Sequence, residues 1–313
     1  SVSVFVLISL GMTLLVIDTN PINFFSPDSE VRKADQFLQD NFGGTTNISI
    51  VVKGDILDPG TMRMIDRITT DLQARDAVGE VSSISEIVRH MNQVLHDGAD
   101  EFDTIPDTRE AIAQYFLLYS FGGDPADFEK MVDFNYEHAL ITARLTTTAT
   151  QEIQRELEFA REIKEEVNSR GQSAPPAEIT AIGGFSDILT ELSTILVYGQ
   201  LRSLAIAVVL IGVVVALLFR GIKSGVMVVV PLALAITTLI GLMGIFGIEM
   251  NTVTAMLTSI MIGVGVDYTI HYLAAYRRAT AAGDVPRVAV VTALTGSGRA
   301  IIFNGLSVMV GFA

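Results

Sequence analysis

The sequence predicts a membrane α-helical bundle together with an external α+β domain, and three observations support this fold class. Half of the 313 residues are hydrophobic, and the mean hydropathy is +0.46, which is high for a soluble protein of this length. The apolar residues concentrate in residues 1–17 and again beyond residue 195. Between them, residues 18–194 are polar, and strand-like segments alternate there with helix-like ones.

Five apolar segments are predicted to be transmembrane helices, because a span needs about 20 mainly apolar residues. The first and the last are shorter and are expected to be truncated helices of a longer protein. A cleaved signal peptide is the alternative for the first segment, although it lacks a basic start and an A-x-A-like site. The predicted helices are 1–17, 195–219, 225–248, 251–276 and 299–313, with a cytoplasmic loop at 277–298.

The distribution of basic residues predicts the orientation of these helices. Short loops rich in Lys and Arg stay in the cytoplasm. Arg220 and Lys223 lie in one connection, Arg277 and Arg278 begin another, and the GIEMN loop at 247–251 has no basic residue. We therefore expect a multi-pass protein of the cell membrane with residues 18–194 outside the cytoplasm.

The external domain is predicted to contain two β-α-β units in one sheet, which is a ferredoxin-like arrangement. A mostly helical insert, at about residues 85–134, is expected between the two units. Alternating apolar residues predict the strands, and apolar residues at helical spacing predict the helices. The first unit covers 45–55, 58–74 and 78–84; the second covers 136–147, 150–171 and 177–184.

Neither an enzyme nor a bound cofactor or metal is predicted. The chain has no Cys, so disulfides and Cys-based metal sites are excluded. His90, His96 and His138 have no companions at metal-ligand spacing, and no nucleophile elbow, zinc-protease or Walker motif occurs. The TGSGR segment at 295–299 lacks the spacing and the Lys of a P-loop. A cation site in the acidic loop at 96–103 is an alternative to a simple solvated loop.

The charge of the external domain argues against nucleic acid as a partner. Residues 18–194 contain 32 acidic and 14 basic residues, a net charge of −18, which would repel phosphate backbones. The whole chain has 5 Lys against 16 Arg. An acidic, Lys-poor surface is typical of a halophilic source, and an ordinary acidic surface is the alternative.

One predicted span contains an acid near its middle. The segment IMIGVGVDYTIHYLAAYRRA, residues 260–279, places Asp267 ten residues before Arg277, roughly 15 Å from the cytoplasmic boundary. A charge at that depth costs at least about 2.5–3.5 kcal/mol. Such an acid is either neutral or paired, and it is a candidate for moving protons. The alternative is a buried hydrogen bond that only packs helices.

Several residues near Asp267 are candidates for the same site. His271 lies four residues later on the same helix face. It could carry protons or only orient the acid. Gly263 and Gly265 would allow close helix approach beside the acid. Asn304 and Ser307 are candidates for a polar core, and ordinary hydrogen bonding between helices is their alternative.

The motif around Asp267 resembles a known family. GVGVDYTIHYLAAYRR (263–278) is similar to the fourth-helix signature of RND (resistance–nodulation–division) transporters. Within these transporters, it resembles the signature of the subgroup with the mycobacterial "membrane protein large" (MMPL) proteins, the hopanoid transporters and archaeal relatives. SGRAIIFNGLSVMVGFA (297–313) resembles the start of that family's fifth helix. The stretches at 34–43, 50–59 and 78–87 are supportive but less specific.

The resemblance implies a function and a set of partners. In that family twelve helices form two repeats, and an Asp-Tyr pair meets its counterpart on the other repeat in a proton relay. Carried over, the pair is Asp267 and Tyr268, for which simple packing is the alternative role. The implied function is proton-driven export of hydrophobic or lipid-like substrates, with membrane lipids and the second repeat as partners. The chain would then be one repeat, and we favour the N-terminal one.

Two points stay open at this stage. A homo-oligomer is compatible with the sequence. A non-transporting membrane module, such as a sterol-sensing-like lipid sensor or a protein-export accessory, is the alternative function. Only the transporter requires Asp267 to gain and lose a proton.

Overall fold

The computed structural model describes residues 2–18, 20–122, 128–169 and 177–312. The chain divides into two compact units, which we call the α+β unit (19–192) and the helical unit (1–18 with 193–313). Two features of the sequence prediction lie outside the described residues: part of the helical insert at 123–127, and the end of the long helix at 170–171.

The α+β unit alternates helices and strands in the predicted order. Local signals set its helix ends: Asp58 accepts a hydrogen bond from the Thr61 amide, and Pro59 follows it in the first turn. The described part of the helical insert includes two long α-helices and a short 3₁₀ helix, Asp100–Phe102, between the second and third strands. The described elements are α2 (Glu30–Phe42), β1 (Thr46–Gly54), α3 (Pro59–Gln73), β2 (Val78–Ser82), α4 (Ile84–Leu95), α5 (Arg109–Gly122), β3 (His138–Leu145), α6 (Thr150–Ser169) and β4 (Ala177–Gly183).

The four described strands form one antiparallel sheet in the order β2-β3-β1-β4. Each β-α-β unit therefore contributes one central and one edge strand. The pairing of β1 with β3 is regular over its full length. By contrast, the register shifts at Val51/Val52, where β1 pairs with β4, and at Val78/Glu80, where β2 pairs with β3. The prediction of an α+β part beside membrane-type helices is confirmed.

The core of the α+β unit is one continuous cluster between the sheet and its helices. Ile48, Ile50 and Val52 alternate along β1 and are almost completely buried. Ile65 and Leu72 on α3 pack into the same cluster. Burial of this apolar surface is what stabilises the unit in water.

Two ion-pair groups fix the helices of this unit. Arg75, after α3, donates to both carboxylate oxygens of Glu156 on α6, at 2.8 and 3.0 Å. The Glu156 carboxylate is buried. Arg89 on α4 donates to both oxygens of Asp103 and to Asp66. This second group holds the acidic loop against α4.

The helical unit contains helices long and apolar enough to cross a membrane. Four such helices occur in the described residues, and the first of them begins at Phe185, within the α+β unit. A shorter apolar segment precedes residue 18 as an α-helix that continues as a 3₁₀ turn. The elements are α1 (Val2–Leu10), the 3₁₀ turn Gly11–Leu14, α7 (Phe185–Leu218), α8 (Ile222–Phe246), α9 (Thr252–Ala281) and α10 (Pro286–Phe312).

The predicted loop at 277–298 is wrong. Helix α9 continues through Arg277 and Arg278 to Ala281, and α10 begins at Pro286, so only 282–285 connect them. Arginine has a high helix propensity, and charged residues extend the helix beyond its apolar part. Gly283, with φ of +97°, allows the turn, and Pro286 favours the start of the next helix.

Glycines bring the first segment into backbone contact with α8. A Cβ added at Gly241 would lie 2.1 Å from the carbonyl oxygen of Ile8, and one at Gly244 would lie 1.9 Å from that of Gly11. Helix backbones can approach this closely only where no side chain intervenes. The GLMG sequence of α8 is therefore a packing surface.

The end of the first segment is fixed to the turn between α8 and α9. Ile17 and Met250 form a parallel bridge. The Met250 amide donates to the carbonyl of Val16 at 2.8 Å, and the Asp18 amide donates to that of Met250 at 3.2 Å. The chain thus leaves the helical unit at the end where α8 and α9 are joined.

Candidate functional site

Helix α9 places Asp267 in the middle of a membrane-type span. The helix begins with a capping box in which Asn251 accepts from the Thr254 amide and the Thr254 hydroxyl accepts from the Asn251 amide. It then runs for 30 residues, about 45 Å at 1.5 Å per residue. Asp267 lies about 22 Å from either end. Thus the acid sits as far from both ends of the helix as this length permits.

The Asp267 side chain lies on an exposed face of α9. Gly263 and His271 are exposed on the same face, one turn to either side. Among the residues that the structure describes, no hydrogen bond or ion pair joins the side chain of Asp267 or of His271 to another group. The sequence of α9 has no Lys or Arg before Arg277, so a base for Asp267 would have to come from elsewhere.

The hydroxyl of Tyr268 lies in a different environment. Its oxygen is buried, and within the described part of the chain it has no hydrogen-bond partner. The ring lines a cavity of about 490 Å³ between α8, α9 and α10. The other lining residues are apolar, including Val264 on α9, Ala235 on α8 and Met309 on α10. Leaving a buried hydroxyl without a partner is unfavourable.

The structure therefore separates the predicted relay residues onto two faces of one helix. Asp267 and His271 share the exposed face, as their spacing predicted. Tyr268 is rotated about 100° from Asp267 and enters the cavity. No hydrogen bond between the two side chains is present among the described contacts. Any proton transfer between them would need a water or a further group.

The other residues predicted for this site show few contacts in the described residues. A Cβ added at Gly263 would meet nothing within 4 Å, and one at Gly265 would meet only Leu232, at 3.6 Å. Asn304 is exposed, and the Ser307 hydroxyl donates to the carbonyl of Phe303 in its own helix. Their roles in close helix packing and in a polar core stay predictions that depend on further protein.

The acidic loop of the α+β unit is held by hydrogen bonds within the protein. Arg89 binds Asp103, Gln93 donates to Asp100, and the His96 ring stacks on Phe102. The hydrogen bond from Arg89 lowers the pKa of Asp103. No group of three His, Asp or Glu side chains that could hold a metal ion is found in the described residues.

Sequence reasoning missed two features of the helical unit. The first is the cavity beside Tyr268, because a void between helices leaves no sequence pattern. The second is the contact of Gly11 with Gly241 and Gly244, although the small-residue spacing of GLMG could have indicated it.

Comparison with known proteins gives two matches. A sequence model of the MMPL family matches residues 24–313. The chain is also 26% identical over 298 residues to "Putative membrane protein MJ1562" of Methanocaldococcus jannaschii. That alignment covers 91% of this chain and 72% of the relative.

Proposed function

The chain belongs to the MMPL family, and from this premise we propose that it is one helix-bundle unit of an RND-type exporter driven by a proton gradient. In this proposal, the α+β unit is a ferredoxin-like domain outside the cytoplasm. The substrates are hydrophobic or amphiphilic, lipid-like molecules. The protein itself would lie in the cell membrane.

The observation that carries the proposal is an acid without a described partner in the middle of a membrane-type helix. A carboxylate in hydrocarbon is unfavourable unless it is protonated or paired. Intramembrane acids are correspondingly rare and mark ion and proton pathways. A carboxyl group that is protonated in one conformation of the protein and ionised in another can couple proton entry to the conformational change. Asp267 is the acid of the described spans that occupies such a position.

The exposed face around Asp267 supports the need for a second repeat. Gly263, Asp267 and His271 form a stripe that no described helix covers. A lipid chain cannot offer a base or a hydrogen bond to this stripe, whereas a facing helix can. We therefore propose that the equivalent helix of a second repeat completes the site. Tyr268 would then receive or pass the proton from the cavity side.

The test is substrate export against an imposed pH gradient by the full-length protein. Asp267→Asn keeps the size and most hydrogen bonding of the side chain but removes the titratable proton. We expect it to abolish gradient-dependent export while expression and membrane insertion stay normal. Asp284→Asn, in the turn after α9, is the matched control and should export like the wild type. Gradient-dependent export at the wild-type level by Asp267→Asn would refute the proposal.

A second candidate function is a lipid sensor, and the apolar cavity favours it. A cavity of about 490 Å³ within the bundle can accommodate part of an apolar ligand. A sensor needs the cavity but does not need proton exchange at Asp267. The sensor would be favoured if an apolar ligand still bound to the Asp267→Asn protein and if neither the wild type nor any variant showed export.

A further inference from the structure

Helix α2 is amphipathic, yet it buries no residue. Its ends are well defined: the Ser29 hydroxyl accepts from the Arg32 amide, and Gly43 closes the helix with φ of +74°. None of its 13 residues is buried in the structure. The exposed side chains include large apolar ones, namely Val31 (43%), Phe37 (58%), Leu38 (40%) and Phe42 (51%).

Three of these apolar side chains share one side of the helix. At 100° per residue, Val31, Leu38 and Phe42 fall within roughly 40° of one another. Phe37 lies about 100° around the helix from Leu38, and its ring centroid is 6.0 Å from that of Phe42. Gln36 and Asp40 lie on the opposite side. Such a helix in a soluble domain would normally bury this face, so its exposure indicates an interaction surface.

The apolar surface continues into the preceding segment. Phe24 and Phe25 end a 3₁₀ turn, Pro21–Phe24, and both rings are about half exposed. Arg32 on α2 donates to the Asn23 side chain and so holds the turn against the helix. At its other end α2 is tied to the sheet, since Arg144 donates to the carbonyl of Phe42 at 3.1 Å. The 3₁₀ turn and the helix therefore form one connected surface, which we call the α2 surface.

Few residues separate the α2 surface from the first apolar segment along the chain. Ile17 is bridged to Met250 in the turn between α8 and α9, where both spans end. Only 18–23 separate this bridge from Phe24, and part of that stretch is 3₁₀ helix with a rise of about 2 Å per residue. The α2 surface thus follows a segment that packs with membrane-type helices after only a few residues, and lipid is the apolar medium that such helices require.

We propose that the α2 surface lies in the interfacial layer of the membrane, with Val31, Leu38 and Phe42 facing the lipid. This inference rests on insertion of the long apolar helices in a membrane and not on transport. Interfacial helices have an apolar face with Phe and Leu and a polar face toward water, as α2 has. The same face could instead be covered by another protein surface, and the experiment separates the two.

The charge of α2 sharpens the proposal. Residues 28–42 contain four acids and two bases, a net charge of −2. Attraction to anionic lipids therefore cannot hold the helix, and burial of apolar side chains must do so. We expect binding to be as strong on uncharged phosphatidylcholine as on membranes containing anionic lipid.

The chain has no Trp, so a single substitution gives a specific fluorescent reporter. The protein carrying Leu38→Trp is reconstituted in phosphatidylcholine nanodiscs whose acyl chains carry bromine at a shallow or a deep position. Bromine quenches Trp only on contact. We expect at least twofold stronger quenching by shallow than by deep bromine. Phe42→Trp is a second reporter on the same face, and Gln36→Trp on the opposite face is the matched control, which should be quenched weakly.

Three results would overturn the proposal. Equal quenching of Leu38→Trp and Gln36→Trp would show that the apolar face does not contact lipid. Protection of Leu38→Trp from aqueous acrylamide without bromine quenching would show that protein covers it. Quenching that appears only with anionic lipid would show an electrostatic attachment instead. A lack of export by the full-length protein would bear on the proposed function and not on this inference.

Discussion

The two units of the molecule bury their apolar residues in opposite ways. In the described part of the α+β unit, 26 buried side chains form one continuous cluster. The described helical unit has three small clusters with eleven buried side chains between them. Most of its large apolar side chains, such as Val213 and Phe303, are exposed instead. One unit is built to exclude water, and the other is built to face lipid.

The treatment of charge differs in the same way. The α+β unit pairs its buried carboxylate at Glu156 with Arg75 and organises its acidic loop with Arg89. The helical unit leaves Asp267 and His271 without a described partner. A charge is tolerable without a partner in water but not in lipid. The difference supports assigning the unpaired groups of the helical unit to the proposed function, whereas the ion pairs of the α+β unit contribute to its stability.

Disrupting the backbone contact between the first segment and α8 should have the largest effect on stability. Gly244→Ala places a methyl group 1.9 Å from the carbonyl oxygen of Gly11, so the segments must move apart. We expect a loss of about 2–3 kcal/mol, the upper range for overpacking. The free energy of unfolding, measured by detergent titration in mixed micelles, checks this.

Gly263→Ala is the matched control, because its methyl group would meet nothing within 4 Å. It should leave the stability of this chain unchanged. If both glycine variants were equally stable, the contact with Gly11 would not contribute to the helical unit. In the full-length protein, a defect confined to Gly263→Ala would place a further helix against this face.

In the α+β unit, Arg75→Ala should destabilise because it leaves the buried Glu156 carboxylate without its partner. Breaking a fully buried pair costs about 3–5 kcal/mol, and we expect about 2 kcal/mol because Arg75 is 37% exposed. Hydrogen exchange at the amides of β1 and β3 measures this. Arg63→Ala removes an exposed pair with Asp107 and should cost less than about 0.5 kcal/mol. Similar losses in both variants would contradict the distinction.

Tyr268→Phe should separate stability from function in the helical unit. The hydroxyl is buried and has no partner among the described residues, so removing it should be neutral or stabilising by up to about 1 kcal/mol. Export by the full-length protein should nevertheless fall roughly tenfold or more if the hydroxyl assists proton transfer. Detergent titration and export assays on one preparation check both parts. Full export by this variant would leave Tyr268 with a packing role only.

The smallest effect concerns pH and the acidic loop. The hydrogen bond from Arg89 lowers the pKa of Asp103 in the folded protein. The resulting stability is present above the ordinary Asp pKa of about 3.9 and is lost as the pH falls through the lowered value. Because Asp103 is partly exposed, we expect less than about 1 kcal/mol. Thermal unfolding at pH 3 and pH 6 should show a smaller difference for Arg89→Met than for the wild type, and an equal difference would disprove the linkage.

The sequence predicted most of the α+β unit because its signals are local. Alternation along 46–54 and the Asp-Pro start at 58–59 define their elements with neighbouring residues alone. The strand order and the Arg75–Glu156 pair depend on residues far apart in the chain, and no local pattern encodes them. The extension of α9 past Arg277 was missed because apolar length marks where a span lies in lipid and not where its helix ends.

For the site, the sequence identified the chemistry but not its geometry. An acid at the centre of an apolar segment is visible without a structure, and so is the shared face of Asp267 and His271. The placement of Tyr268 in a cavity depends on how α8, α9 and α10 pack, which is set by many weak contacts. Because no described residue contacts the exposed side chain of Asp267 through a hydrogen bond or an ion pair, the complete relay stays a prediction.

The register shifts of the sheet have a consequence for the behaviour of the protein at high concentration. Edge strands present unpaired backbone groups that can join to other chains and seed aggregates. Both edge strands, β2 and β4, are paired through an irregular register, at Val78/Glu80 and at Val51/Val52. Such irregularities bend and twist an edge away from the flat geometry that a foreign strand requires. Together with like-charge repulsion from the acidic surface, they should keep the domain from polymerising edge to edge at high protein concentration.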